Sequence, residues 1–180
     1  DELYTMEGVT VGAGSLNKYQ MNVIPVDSAV ASLDQTQVLG FGNADCDAAS
    51  DGRGGFWFAE HRYSIDAYPC LAHMNAQGVK DFEISASVNT ELLSNADGGA
   101  SYRGVVAVNP TYDLVAIGSN RRAVVFTIGY DSVGAPVLTK LIETGILGGN
   151  IDGLAFDVAN NLYVASASSE RFTQYITFSG

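Results

Sequence analysis

Basic side chains are scarce in this sequence: 9 Lys and Arg stand against 20 Asp and Glu, a formal net charge of −11. A surface of that sign repels phosphate backbones and anionic headgroups, so nucleic acid is not an expected partner. Long hydrophobic runs are missing as well. No apolar stretch approaches the ~18 residues of a spanning helix, and no basic segment leads into an apolar one as in a signal peptide, so membrane insertion is not expected either. Cysteine is nearly absent. Cys46 and Cys70 do not amount to a disulfide framework; they either pair across neighbouring strands or stand as two separate buried thiols, the second being the expectation. No window carries a long amphipathic helix; the best is a turn or two near 89–94. The nucleophile elbow Gly-x-Ser-x-Gly, the phosphate loop and Cys-x-x-Cys are all missing, which leaves nucleophilic, nucleotide and zinc chemistry without an anchor.

What is present is a repeat. The run 154–165 (LAFDVANNLYVA) reads as a short strand, an Asp, a Gly/Asn turn and an apolar strand ending in Ala. The run 48–59 (AASDGRGGFWFA) has the same form, and 106–116 (VAVNPTYDLVA) carries Asn109 in place of the Asp. A fourth copy, cut at its start, begins at Glu2. With Leu3, Phe56, Leu114 and Leu162 as equivalent points, the spacings are 53, 58 and 48 residues. Four strands of about 5–6 residues with their turns fill that period, the size of a propeller blade. Runs such as 105–108 (VVAV), 114–117 (LVAI) and 123–128 (AVVFTI) alternate little, as strands do when both sheet faces are covered. Outer strands are expected to alternate more, and 137–143 (VLTKLIE) does so in part.

These observations predict an all-β fold, a β-propeller of antiparallel four-stranded blades with about three and a half blades present. The blades fall at roughly 1–42, 43–92, 93–146 and 147–180, the first lacking its inner strand and the last its outer one. Opening at Asp1 without a Met, inside a strand-like run, the chain reads as a mature product or an excerpt of a longer polypeptide. A larger ring, or other domains or chains that complete it, is therefore expected. Sparse Lys with abundant Ser, Thr, Asn and Gly suits an extracellular or cell-surface protein.

The segment from Ile151 through Asp152, Gly153 and Asp157 to Asn161–Ala165 resembles the blade signature of NHL-repeat and gluconolactonase (regucalcin)-like propellers. The resemblance covers all four copies and specifies a blade rather than a chemistry. It implies, for the lactonase members, a divalent cation in the central channel that polarises a sugar-lactone carbonyl and activates water. Asp152 lies where that family's channel Asp sits. Arg103 or Gly104 stands where an Asn is required, and no Glu-Gly-Pro inner strand is present (Glu7–Gly8 lies on a different strand). Capping of the turn into the strand is the structural alternative for Asp152.

Other constellations are weaker. Asn43, Asp45, Asp47 and Asp51 alternate like a calcium loop but lack its Gly at position six and its Glu at position twelve. His61 and His73 flank the second blade's b–c hairpin, where lone histidines are ordinarily satisfied surface or core residues. Within that hairpin, Arg62, Tyr63 and Tyr68 form an enlarged aromatic-rich connection, with Trp57 on the strand leading into it. A second long segment covers 86–102. Long loops on a rigid scaffold are where binding tends to live, and Tyr with Arg suits a glycan or protein partner. The expected function is thus a non-catalytic scaffold or recognition module in a surface, secreted or particle assembly, without a cofactor. A divalent-metal-dependent sugar-lactone hydrolase (calcium or another divalent cation at Asp152) and a purely structural component of a virion or surface appendage are the alternatives.

Overall fold

The structure is a computed structural model that describes residues 2–7, 15–20, 31–34, 46–61, 69–85, 104–119, 122–145, 147, 151–166 and 171–177. Its strands, in chain order, are β1 (Glu2–Glu7), β2 (Ser15–Gln20), β3 (Ala31–Asp34), β4 (Cys46–Ser50), β5 (Phe56–His61), β6 (Pro69–Met74) and β7 (Lys80–Ser85). They continue with β8 (Val105–Val108), β9 (Leu114–Ser119), β10 (Arg122–Tyr130), β11 (Pro136–Glu143), β12 (Ile151–Phe156), β13 (Asn161–Ser166) and β14 (Arg171–Thr177). Each sheet is a simple antiparallel meander: β1-β2-β3, then β4-β5-β6-β7, then β8-β9-β10-β11, then β12-β13-β14. The fold is all-β, a run of antiparallel propeller blades, of which the second and third are four-stranded and the first and fourth show three strands each among the described residues.

The third sheet explains why its strands read as nearly continuous apolar runs. Side chains alternate across a strand, and here each side of the alternation meets a different neighbour. Val106, Val115, Ile117, Val124 and Phe126 pack with Trp57, Ala59 and Leu71 of the second sheet. Their sequence neighbours Val105, Leu114, Ala116, Ala123 and Val125 pack with Ile151, Leu162 and Val164 of the fourth. Register keeps the parity true: Ile117 opposes both Val106 and Val124, while Val115 opposes Val108 and Phe126. Fully burying a side chain such as Phe126 or Ile117 stabilises the fold by roughly 1.5–3 kcal/mol.

The first strands of successive sheets adjoin, β8 lying against β4 on one side and β12 on the other. The outer strand β11 behaves differently. Its burial alternates, with Val137 and Leu141 exposed, and Pro136 opens it where an edge strand tolerates a residue without an N–H.

Register also settles the cysteines. Cys46 opposes Glu60, and Glu60 opposes Cys70, so β5 runs between the two residues. Two inter-strand steps separate their Cα atoms by roughly 9–11 Å, beyond the ~7 Å that a disulfide spans. They are two separate thiols.

Candidate functional site

Among the described residues, one end of the blades is built from a single turn design that recurs five times. Asp51, Asn75, Asn109, Asp131 and Asp157 each end a strand and point a side-chain oxygen back at the turn that follows. Asp51 Oδ1 accepts from the backbone N–H of Arg53 (2.7 Å) and Gly55 (2.8 Å). Asn75 Oδ1 accepts from Gln77 and Val79, Asp131 Oδ1 from Val133 and Ala135, and Asp157 Oδ1 from Ala159 and Asn161. Asn109 Oδ1 takes the N–H groups of Asp113 and Leu114. Three residues after each of these comes a left-handed residue: Gly54 (φ 92°), Gly78 (76°), Tyr112 (60°), Gly134 (90°) and Asn160 (61°). A short loop closed by an αL residue is a standard way to reverse a strand, and the Asx oxygen satisfies the N–H groups that the reversal strands. In an antiparallel meander the first and third reversals lie at the same end of the sheet, so these turns share one edge of the blades.

Polar and ring contacts between blades lie there. The Tyr112 ring lies so close over Gly52 that a Cβ on that glycine would come within 2.6 Å of it. The Arg53 guanidinium sits 3.8 Å from the centre of the Tyr130 ring, and burial raises the Tyr130 phenol above its ordinary value, Arg53 opposing it. Asn109 Nδ2 donates to Thr111 Oγ1 (2.7 Å), to Asp113 Oδ1 (2.6 Å) and across the blade boundary to Asn160 Oδ1 (3.0 Å). Nearer the inner strands, the Val106 N–H donates to Asp47 Oδ2 at 3.0 Å.

Inside the second blade, His73 lies between two carboxylates. Nε2 is 3.1 Å from Asp51 Oδ2 and Nδ1 is 2.6 Å from Asp81 Oδ1. The ring is buried and packs on Trp57 at 4.7 Å between centroids, and Phe82, the cross-strand neighbour of His73, meets Trp57 edge-on at 5.7 Å. A His–Asp pair is half of a nucleophile-activating arrangement. Here both ring nitrogens are engaged by carboxylates, so no ring atom is left to take a proton from a nucleophile. The array clamps β6 to β7 and to the Asp51 turn.

The residues singled out from sequence are dispersed. Trp57 has no exposed surface and belongs to the core shared by the second and third sheets. Arg62, Tyr63 and Tyr68 lie outside the described residues, as do Asn43 and Asp45 of the calcium-like run. Of that run, Asp47 and Asp51 hold separate partners, the first at the Val106 amide and the second at its own turn and His73. Asp152 is exposed on the innermost strand of its sheet, at a bulge: Ile151 opposes Ser166 and Gly153 opposes Ala165, leaving Asp152 without a cross-strand partner. Among the described residues no group of three or more His, Cys, Asp or Glu could hold a metal ion. His61 and His73 stand at opposite ends of the β5–β6 ladder.

Sequence reading did not single out Asn75 and Asp131 as turn-shaping residues, although the signal was present: an Asx with a Gly three residues on, as in 75–78 (NAQG) and 131–134 (DSVG). It also missed the His73 array, for which no local signal exists.

No protein-family model matches the chain, and no curated protein does. Among solved structures, the chain is similar to one described as the complex of KlAtg21 with the coiled-coil of AgAtg16, with a TM-score of 0.57 and 13% sequence identity. The match covers 97% of this chain and 50% of that one, so the chain spans about half the length of the structure it matches. At that identity the likeness is one of fold.

Proposed function

We propose that this chain is a non-catalytic β-propeller scaffold or recognition module, working in an extracellular, cell-surface or particle assembly in which other domains or chains complete the ring. One observation carries the reading. The described groups best suited to chemistry, His73 with Asp51 and Asp81, are buried and mutually engaged, while the two longest connections of the second blade depart together from the opposite end. Glu60, Cys70 and Ser85 stand in one cross-strand row, and the segments 62–68 and 86–103 begin beside that row. The first of those segments carries Arg62, Tyr63 and Tyr68 in its sequence, and residue types that supply flat apolar area with a polar tip suit a glycan or protein surface. The blades are of the NHL-repeat and gluconolactonase (regucalcin)-like type that the segment from Ile151 to Ala165 resembles, and the module works without a cofactor.

Binding to an array of neutral and acidic oligosaccharides, with chemical cross-linking to co-purifying proteins, tests the proposal. Tyr63→Ala with Tyr68→Ala is expected to abolish the interaction while leaving the circular dichroism spectrum unchanged. Retention of every interaction by that double variant sinks the assignment of the site. Divalent-cation-dependent hydrolysis of a sugar lactone, lost in Asp152→Asn, would replace the proposal with the hydrolase reading.

A further inference from the structure

Asp152 is followed by Gly153, and Asp-Gly is the step at which an aspartyl side chain most easily reaches the next backbone nitrogen, because glycine has no Cβ to obstruct it. The chain has two such steps among the described residues, and they differ in every feature that controls the reaction. At Asp51–Gly52 the carboxyl is 4% exposed. Oδ1 accepts two backbone N–H bonds, Oδ2 lies against His73, and the Gly52 N–H is itself held by Ser50 Oγ at 3.2 Å. Attacking atom and attacked atom are both fixed. At Asp152–Gly153 the side chain is exposed, has no hydrogen-bond partner among the described residues, and occupies the extra position of a bulge. A bulge lets the backbone leave the extended geometry that otherwise holds a strand's carboxyl away from the following amide.

We infer that Asp152–Gly153 is a site of spontaneous aspartyl isomerisation in the folded protein. The Gly153 nitrogen attacks Cγ of the protonated Asp152 carboxyl. The new C–N bond forms as a water molecule leaves, carrying the amide hydrogen and the carboxyl hydroxyl, and a five-membered succinimide results. Water then adds to one of its two carbonyls, cleaving one C–N bond. Addition at the backbone carbonyl routes the main chain through Cβ as isoaspartate; addition at the other restores aspartate. No oxidant, metal or second protein is required. The consequence is structural: isoaspartate inserts a methylene into β12, which lies against β8 and β9, and displaces the β12–β13 ladder around Gly153.

The test is timed incubation of the folded protein at physiological temperature and mildly acidic pH. Digestion follows, with electron-transfer fragmentation of the peptides carrying Asp51 and Asp152 and methyl transfer by an isoaspartyl methyltransferase. Isoaspartate is expected at Asp152 about 100-fold faster than at Asp51, where the three hydrogen bonds on the carboxyl, each of ordinary net strength, must open first. In denaturant the two rates converge. Gly153→Ala is expected to suppress the reaction without unfolding the chain, since its Cβ would meet only the Ala165 Cβ at an ordinary 3.6 Å. Equal rates at the two positions in the folded protein, isoaspartate at Asp152 in denaturant alone, or an undiminished rate in Gly153→Ala overturns the inference.

Discussion

Gly118 offers a direct measurement of how tightly the third and fourth sheets are stacked. It sits on β9, on the face that also presents Leu114 and Ala116 to the fourth sheet. A Cβ built there would meet Ile151 Cγ2 at 2.9 Å, Val105 Cγ2 at 3.0 Å and Leu154 Cδ1 at 3.2 Å. Leu154 can turn aside, but Ile151 and Val105 are β-branched, buried and stiff at χ1. Gly118→Ala therefore overpacks the interface, which typically costs about 1–3 kcal/mol. Against this, losing the glycine's freedom in the unfolded chain contributes about 0.4–1 kcal/mol of stability. The net expectation is a destabilisation of about 1–2 kcal/mol, a fall in Tm of about 2–8 °C for a chain of this size. Urea denaturation followed by fluorescence reads it, because the chain has a single tryptophan, Trp57, and it is buried. Gly129→Ala is the control, since its Cβ would meet only the Val137 carbonyl oxygen, at 3.6 Å; it is expected to move stability by less than about 0.5 kcal/mol. Adding Val105→Ala to Gly118→Ala removes one clash, so the pair should couple favourably by about 1 kcal/mol. If Gly118→Ala and Gly129→Ala behave alike, the two sheets do not stack in the way described.

Two further outcomes follow from the polar groups. His73→Ala leaves Asp51 Oδ2 without its ring partner and opens a space beside Trp57, so it should cost about 2–4 kcal/mol in urea denaturation; a loss below about 1 kcal/mol would show that the array is not a clamp. Acid stability depends on carboxylates held ionised: hydrogen bonds from Thr111 and Asn109 lower Asp113 from its ordinary 3.8, and those from Asn161 lower Asp157. Glu143 is pushed up by burial but brought below 4.5 by Lys140 and Arg122 together. Each folded value lies below the unfolded one, so the stabilisation is complete above the ordinary carboxylate range and is lost as pH falls through it, below about pH 4.5. Asp113→Asn combined with Glu143→Gln should flatten the curve of Tm against pH in that window, and an unflattened curve refutes the attribution.

The blades were legible in the sequence because burial on both faces leaves a composition signature. Strands such as 105–108 and 114–117 carry apolar residues at consecutive positions, which only a strand sandwiched between two sheets requires. The same fact makes Trp57 hard to read. An aromatic residue next to a polar loop looks like a binding residue, yet β5 is an interior strand and Trp57 faces the third sheet. The three Asp or Asn turns of the repeat were legible, since a turn residue acts on its own neighbours. The His73 array was not, because residues 51, 73 and 81 are joined by the register of β4, β5, β6 and β7 rather than by spacing. Cross-strand position likewise decides the cysteines: a count of two invites a bond that the intervening strand forbids.

The division between polar and apolar contacts along the blade boundaries has a physical reason. Apolar burial is non-directional and grows with area, so the interface formed by Trp57, Leu71, Ile117 and Phe126 would tolerate a small slide of one sheet over the next. A hydrogen bond or a cation over a ring does not, because its strength falls quickly with distance and angle. The Val106 amide on Asp47, Arg53 over Tyr130, and Asn109 on Asn160 each cross a blade boundary. They sit at the inner strands and at the turn edge, outside the apolar centre, where water can solvate whatever is left unpaired. The centre thus supplies the energy and the margin supplies the register. Gly52 fits the same division, because its missing Cβ is what lets the Tyr112 ring close over the turn and brings the margins of two blades together.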